Sequence, residues 1–185
     1  MTSVSESVSA PNEVQTPVAT ASLLGIAALI ALVHLITNTR YGFHRDELQF
    51  LSDARHLAWG YVAYPPFTPF VERVSLNVFG LNTVGLRLFS VIAQSLAIVF
   101  TGLMARELGG GRFAQITAAV CVALSPLPMF EGTEFQYTTF DFLWWVLIAW
   151  CVIRLLKSEN PRWWWYATPA LRRVGRTYPA AGCAS

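Results

Sequence analysis

LLGIAALIALVHLIT, at residues 23–37, is an apolar run that only His34 interrupts. No charged residue occurs anywhere from Ala19 to Asn38. About 20 such residues are needed for a helix to cross the hydrocarbon core of a bilayer. The preceding residues contain no Lys or Arg, and no A-x-A site follows, so the pattern is not that of a cleaved signal peptide. The run therefore predicts an uncleaved first transmembrane helix.

The composition of the whole chain agrees with a membrane protein. Of its 185 residues, 54% are hydrophobic and 13% are charged, whereas roughly a quarter are charged in soluble domains. The net charge is +2 and no basic run is present, which argues against nucleic acid as a partner. Two of the three cysteines, Cys121 and Cys151, lie in apolar runs, so we expect packing residues rather than a disulfide framework.

Three further apolar runs follow the first one. The predicted transmembrane helices are 19–38, 84–105, 113–130 and 135–156. The predicted fold class is therefore all-α, a polytopic membrane protein with about four transmembrane helices. The loop 39–83 contains a helical stretch, TPFVERVSLNVF at 68–79, which is too short and too charged to cross and is expected to lie at the membrane interface.

The distribution of Lys and Arg predicts the orientation. The loop RELGGGR at 106–112 is basic, as is the end of the last run, whereas the turn between the third and fourth runs carries two acids and no base. We therefore expect 106–112, a disordered tail at 1–18 and the tail 157–185 in the cytoplasm, with 39–83 outside. Four arginines within 39–83 oppose this orientation, but they alternate with four acids.

The outer loop opens with an acidic motif, HRDELQFLSDARHLAW at 44–59. Its apolar residues recur at helical spacing and predict an amphipathic helix on the membrane: Leu48, Leu51, Ala54, Leu57 and Ala58. Asp46 and Glu47 fall in the first turn, where acids commonly offset the helix dipole. Adjacent helical residues point about 100° apart. One acid can therefore act on a substrate while the other orients it or holds a cation.

A second acid lies inside an apolar run. Asp141, in EFQYTTFDFLWWVLIAW, falls in the outer third of the last predicted span. A carboxylate at mid-membrane costs about 2.5–3.5 kcal/mol, so such groups usually face a cavity or a partner. Arg87, in VGLRLFS, has a matching depth in the second span. Two interpretations stand, a pair that snorkels to the interface and a functional cavity.

These stretches together resemble one family. RDELQFLSDARHLAWGYVAYPPFTPF, FGLNTVGLRLFS and TTFDFLWWVLIAW are similar to the membrane glycosyltransferases that use polyprenyl-phosphate sugars. The group is also described as glycosyltransferase family 39, or dolichyl-phosphate-mannose-protein mannosyltransferase-like, and includes the lipid A aminoarabinose transferases. The resemblance implies a multi-pass protein of the plasma (inner) membrane. It also implies an active-site loop on the outer side and a lipid, glycan or protein acceptor.

The resemblance also implies the site residues. Asp46 matches the catalytic base, Glu47 its neighbour and Asp141 a further acid. Pro65 and Pro66 match a turn of the loop, and with them we expect three residues to bind substrate: Arg45, Tyr64 and Arg87. The departing phosphate needs a positive partner, which is either Arg or a divalent cation. The chain departs from the family at Ala63, where many relatives carry an acid.

Three interpretations of function remain at this stage. The chain can be the N-terminal part of a membrane glycosyltransferase that transfers a sugar from a polyprenyl-phosphate donor. It can instead be a truncated, non-catalytic membrane protein or a partner subunit. A transporter fragment that uses Arg87 and Asp141 as a relay is the third. Because hydrophobicity falls abruptly at PALRRVGRTYPAAGCAS, we expect a frameshift or truncation near Thr168.

Overall fold

The computed structural model describes residues 17–40, 42–61 and 64–158, together with Arg162 and Thr168. These residues form seven helices and no strand, which confirms the prediction of an all-α fold. The predictions for Ala63, for the N-terminal tail before residue 17 and for nearly all of the tail after residue 158 lie outside the described residues.

Three of the helices are long and apolar enough to cross a membrane. The helices are α1 (Thr20–Asn38), α2 (Arg45–Arg55), α3 (Phe67–Phe79), α4 (Thr83–Glu107), α5 (Arg112–Ala123), α6 (Pro126–Glu131) and α7 (Tyr137–Ser158). The three are α1, α4 and α7, whose most apolar windows have mean hydropathies of 2.1, 2.0 and 1.7. They lie where the first, second and fourth spans are predicted, with ends that differ by at most two residues.

The predicted third span is not one continuous helix. Residues 113–130 are divided into α5 and α6 at Leu124 and Ser125, so the expectation of a single helix there is wrong. Pro126 explains the break, because the residue before a proline is disfavoured in the α conformation, and Ser125 is extended with ψ 133°. Pro126 then sits at the first position of α6, where its missing N–H costs nothing.

α5 and α6 together nevertheless run the length of α1. The side chain of Gln115, near the start of α5, accepts a hydrogen bond of 2.9 Å from the backbone N–H of Ala19, just before α1. Gly132, just after α6, packs against His34 in the last two turns of α1. The segment therefore passes from one end of the bundle to the other. That it crosses a membrane as a broken helix stays a prediction.

α4 is the central helix of the bundle, in contact with α1, α3, α5 and α7. One apolar cluster joins α1, α4 and α5: Leu23, Ala27, Ile30, Ile98, Ala119 and Ala123. A second cluster attaches α2 and α3 to α4 and α7: Phe50, Val71, Leu86, Ala93, Phe135 and Phe140. We call the end of the bundle with the second cluster the site end, and the opposite end, where α1 begins and α4 ends, the far end.

Both short helices at the site end turn polar residues inward. α2 buries Glu47 together with Phe50 and Ala54, while Leu48 is exposed. The buried face of α3 carries Thr68, Glu72 and Ser75, and most of its exposed residues are apolar: Phe70, Val74, Val78 and Phe79, beside Arg73 and Asn77. Helices form in both stretches as the sequence predicts, but α2 ends at Arg55, so Leu57 and Ala58 lie beyond it. The outward apolar residues of both helices suit a membrane surface, which remains the expected location.

Candidate active site

The start of α2 is fixed by its own first residues. The backbone N–H of His44 donates to Oε2 of Glu47 at 2.8 Å, and the N–H of Asp46 donates to Nδ1 of His44 at 3.4 Å. These bonds satisfy N–H groups that have no partner within the helix, as in a capping box. One of the two adjacent acids therefore stabilises the helix end directly.

Glu47 is also the centre of a buried ion pair. Nε and Nη2 of Arg87 donate to its two carboxylate oxygens at 2.7 and 2.8 Å. The Glu47 side chain is fully buried and the Arg87 side chain is 3% exposed. A further bond of 2.9 Å comes from the backbone N–H of Phe135. A buried charge pair is tolerated only with such complete hydrogen bonding, so this carboxylate is occupied by protein partners.

Arg87 also donates hydrogen bonds to two other segments of the chain. Nη1 donates to the carbonyl of Asn38 at 3.1 Å, and Nη2 donates to the carbonyl of Gly42 at 2.7 Å. The guanidinium thereby joins α4 to the end of α1 and to the loop before α2. Since Glu47 binds Phe135, the pair also fixes the loop that leads into α7.

Asp46 has a different environment from its neighbour. Its side chain is 41% exposed. Oδ2 accepts a hydrogen bond of 3.1 Å from Nε2 of Gln136. Nε of Arg45 lies 3.6 Å from Oδ1, and the Arg45 side chain is 93% exposed. The expectation that the two adjacent acids point in different directions is confirmed, because one is buried and the other faces solvent.

The loop between α6 and α7 supplies site residues that the sequence did not reveal. Gln136 holds Asp46, and Oε2 of Glu134 lies 3.6 Å from Nδ1 of His44. Nδ1 of His44 also lies 4.0 Å from Oδ2 of Asp46. From the sequence, the acidic turn that contains Glu134 indicated only the orientation of the chain in the membrane. A hint was available, since Glu134 and Gln136 are polar residues at the edge of an apolar run.

A cavity of about 470 Å³ lies at the site end, between the first turns of α3 and α7. It is lined by Leu57, Ala58, Trp59, Pro65, Pro66, Phe67, Thr68, Phe70, Tyr137, Phe140, Asp141 and Trp144. Most of its wall is apolar, with few polar groups, which is usual for a ligand pocket. Asp141 is 9% exposed and lies one turn into α7. Tyr137 lines the cavity and directly follows Gln136, which binds Asp46. One short segment at the start of α7 therefore contacts both the cavity and Asp46.

Tyr64 lies behind the cavity wall. Its ring stacks on Tyr137 with centroids 6.0 Å apart and meets Phe50 edge to face. Its hydroxyl donates to a carboxylate oxygen of Asp53. Burial and this hydrogen bond raise the pKa of Tyr64, so the hydroxyl stays protonated. Tyr64 therefore packs against Tyr137, which lines the cavity, but Tyr64 does not itself line it.

The predicted site residues thus form two neighbouring groups. Arg45, Asp46, Glu47 and Arg87 meet at the start of α2. Pro65, Pro66 and Asp141 line the cavity. Among the described residues, no group of three or more His, Cys, Asp or Glu side chains is placed to hold a metal ion.

The sequence profile of the family described as dolichyl-phosphate-mannose-protein mannosyltransferase matches residues 63–172, more than half of the chain. The chain belongs to this family. The resemblance stated from the motifs is therefore confirmed, and the family is one of membrane glycosyltransferases that use a polyprenyl-phosphate sugar. No curated protein and no solved structure matches the chain.

The family match covers only part of the candidate site. The matched residues include Pro65, Pro66, Arg87 and Asp141, and so cover the cavity and one side of the ion pair. They begin after Asp46, so the match does not bear on the acidic motif. Roles for that motif rest on the geometry described above.

Proposed function

We propose that the chain takes part in the transfer of a sugar from a polyprenyl-phosphate donor to an acceptor hydroxyl on the outer face of the membrane. The observation that carries the proposal is the difference between two adjacent acids at the site end. Glu47 is enclosed by four hydrogen bonds from protein groups, whereas Asp46 is half-exposed and held by Gln136. A carboxylate that is both positioned and accessible is what a general base requires.

In the proposed step, Asp46 accepts the proton of the acceptor hydroxyl. The acceptor oxygen forms a bond to the anomeric carbon of the sugar while the bond from that carbon to the phosphate oxygen breaks. The electron pair of the broken bond leaves with the polyprenyl phosphate. The protein must therefore stabilise the negative charge that develops on the phosphate.

Arg45 is our proposed partner for this phosphate. Its guanidinium is exposed next to the carboxylate of Asp46, so one end of the helix offers a base and a cation side by side. Arg can bind phosphate oxygens through two parallel hydrogen bonds. We propose that the donor reaches this position from the neighbouring cavity, with Asp141 as a polar group in its wall and Pro65 and Pro66 as its rim.

For Glu47 and Arg87 we propose positioning roles. The sequence placed the first in catalysis and the second in substrate binding, but each is buried and bound to protein groups. They join four segments at one point: the end of α1, the start of α2, α4 and the loop before α7. We propose that this junction fixes the first turn of α2, and with it the direction of Asp46.

The proposed outer location of the site rests on charge. The far end has three basic residues around one acid, because Arg106, Arg154 and Lys157 all lie within 4.0 Å of Glu107. Segments rich in Lys and Arg remain in the cytoplasm. The site end is at the other end of the bundle. The turn between α6 and α7 there carries Glu134 and no Lys or Arg, and the four arginines of the loop 39–83 alternate with four acids.

The test is sugar release from a radiolabelled polyprenyl-phosphate sugar in membranes that contain the chain. We expect turnover in the wild type and its loss in Asp46→Asn, which keeps the size and polarity of the side chain but removes the base. Glu107→Gln, at the far end, is the control and is expected to retain turnover. Turnover that survives in Asp46→Asn would contradict the proposal. No turnover in any membrane would favour the alternative of a non-catalytic protein or partner subunit.

A further inference from the structure

Glu72 is a buried acid that the proposed reaction does not use. It lies on the inner face of α3, is fully buried, and neither of its carboxyl oxygens has a hydrogen-bond partner among the described residues. A buried polar group without a partner costs stability and calls for an explanation.

The groups that face Glu72 are mostly negative. α3 packs on α2 and α4. From α2, the charges of Glu47 and Asp53 act on it, and the cation on α4 is Arg87, which is bound to Glu47. Asp53 in turn accepts from the hydroxyl of Tyr64. Arg73, the next residue on α3, donates to the carbonyl of Ala54 in α2.

Burial, and after it the negative charges of Glu47 and Asp53, raise the pKa of Glu72 to about 8. Glu72 is therefore neutral at pH 7 in the folded protein. In this form it adds no charge beside Glu47, and α3 can pack closely under α2. Thr68 lies one turn away on the same face and lines the cavity, so Glu72 lies one turn of α3 from the cavity wall.

We propose that Glu72 is a positioning residue whose proton keeps α2 docked, so that the first turn of α2 holds Asp46 in place only while Glu72 is neutral. The inference rests on the proposed function for its consequence in catalysis, but its structural part does not depend on that function. When the proton is lost, Glu72 adds a third negative charge to those of Glu47 and Asp53. Repulsion between them separates α2 from α3 and disturbs the bond network that aims Asp46.

Amide hydrogen exchange tests the structural part. Protection factors of α2 and α5 are compared from about pH 6 to about pH 9.5, a range that brackets the ionisation of Glu72. In the wild type we expect protection in α2 to fall by up to about tenfold per pH unit between pH 6 and 8, the loss that accompanies about 1.4 kcal/mol of local destabilisation, and to level off above pH 8. α5, which lies against α1 and α4, is expected to show no such change.

Two variants identify the group responsible. In Glu72→Gln, protection of α2 is expected to stay level, because the amide is neutral at every pH. In Glu107→Gln it should fall as in the wild type, because that carboxylate lies at the far end. Equal behaviour of α2 and α5 in the wild type, or a fall in α2 that persists in Glu72→Gln, would overturn the proposal. The comparison within the wild type decides even where a variant does not fold.

Sugar release over the same pH range separates this inference from the proposed function. We expect turnover of the wild type to decline above pH 8 and that of Glu72→Gln to persist there. If Glu72 had only a packing role, Glu72→Gln would lower turnover at all pH values without shifting its pH dependence. That result would contradict the inference. If neither protein turns over but α2 shows the expected exchange pattern, the proposed function fails and the role of Glu72 stands.

Discussion

Nε of Arg87 lies 2.7 Å from Oε1 of Glu47, and the two side chains are 3% and 0% exposed. The residues are 40 positions apart in the chain, and the pair joins α2 to the central helix α4. Arg87 also binds the carbonyls of Asn38 and Gly42. One guanidinium therefore joins α4 and α2 to the end of α1 and to the loop before α2. The acid that is proposed to act chemically, Asp46, is the residue next to this junction.

Removal of one partner of this pair is expected to be costly. Glu47→Gln leaves a buried guanidinium without its counter-charge, which costs about 3–5 kcal/mol. The double variant Glu47→Leu/Arg87→Met removes both charges and should cost less than the sum of the single substitutions. The free energy of unfolding in detergent measures this. Additive costs would show that the two groups are not coupled.

The control for that experiment is the ion pair at the far end. Nε of Arg154 lies 3.2 Å from Oε1 of Glu107, but the Arg154 side chain is 37% exposed. Partly exposed pairs contribute about 0–1 kcal/mol, so Arg154→Gln should change stability little. A cost as large as that of Glu47→Gln would mean that burial does not distinguish the two pairs.

The contact between Gly132 and α1 gives a second prediction. A Cβ atom on Gly132 would lie 2.5 Å from Nε2 of His34. Gly132→Ala is therefore expected to destabilise the fold by about 1–3 kcal/mol through overpacking. Gly25→Ala, in α1 with nothing within 4 Å of its Cβ position, should instead stabilise by up to about 1 kcal/mol. Melting temperatures that rise in both variants would contradict this contact.

The stability of the fold should also depend on Glu72 and pH. The folded state holds a proton that the unfolded state releases between the ordinary pKa of 4.5 and about 8. The unfolded state thus binds fewer protons in this window, so stability falls as pH rises, by up to about 1.4 kcal/mol per pH unit. Above pH 8 the slope from this group vanishes. Glu72→Gln should remove this slope and be more stable than the wild type at neutral pH, which melting curves at several pH values can check.

Side-specific labelling tests the orientation. In a chain without native cysteines, Arg55→Cys places a thiol at an exposed position at the end of α2. Leu108→Cys places one at an exposed position just after α4. We expect an impermeant thiol reagent to label the first from outside intact cells and the second only after permeabilisation. The reverse pattern would place the site end in the cytoplasm.

The long helices were predictable from the sequence because each contains a long apolar run with few charged residues. α1, α4 and α7 all follow this rule. The break between α5 and α6 was missed because hydrophobicity alone does not report it. Pro126 and Pro128 carry the signal for the break, and they act through backbone geometry rather than polarity.

The site was only partly accessible to the same reasoning. The helical period separated the directions of Asp46 and Glu47, as the structure has them. The partner of Glu47 is 40 residues away, and nothing local connects it to Arg87. Gln136 and Glu72 were also missed, since long-range contacts decide their roles. Neither belongs to a motif.

The most direct test of the account compares Asp46→Asn with Glu47→Gln in one preparation, by sugar release and by melting temperature. The account predicts that Asp46→Asn loses turnover while its melting temperature stays that of the wild type, since the side chain is half-exposed. Glu47→Gln should lose turnover and stability together. If Asp46→Asn keeps its turnover, or if Glu47→Gln loses turnover with its stability intact, the proposed division between a catalytic and a positioning carboxylate is wrong.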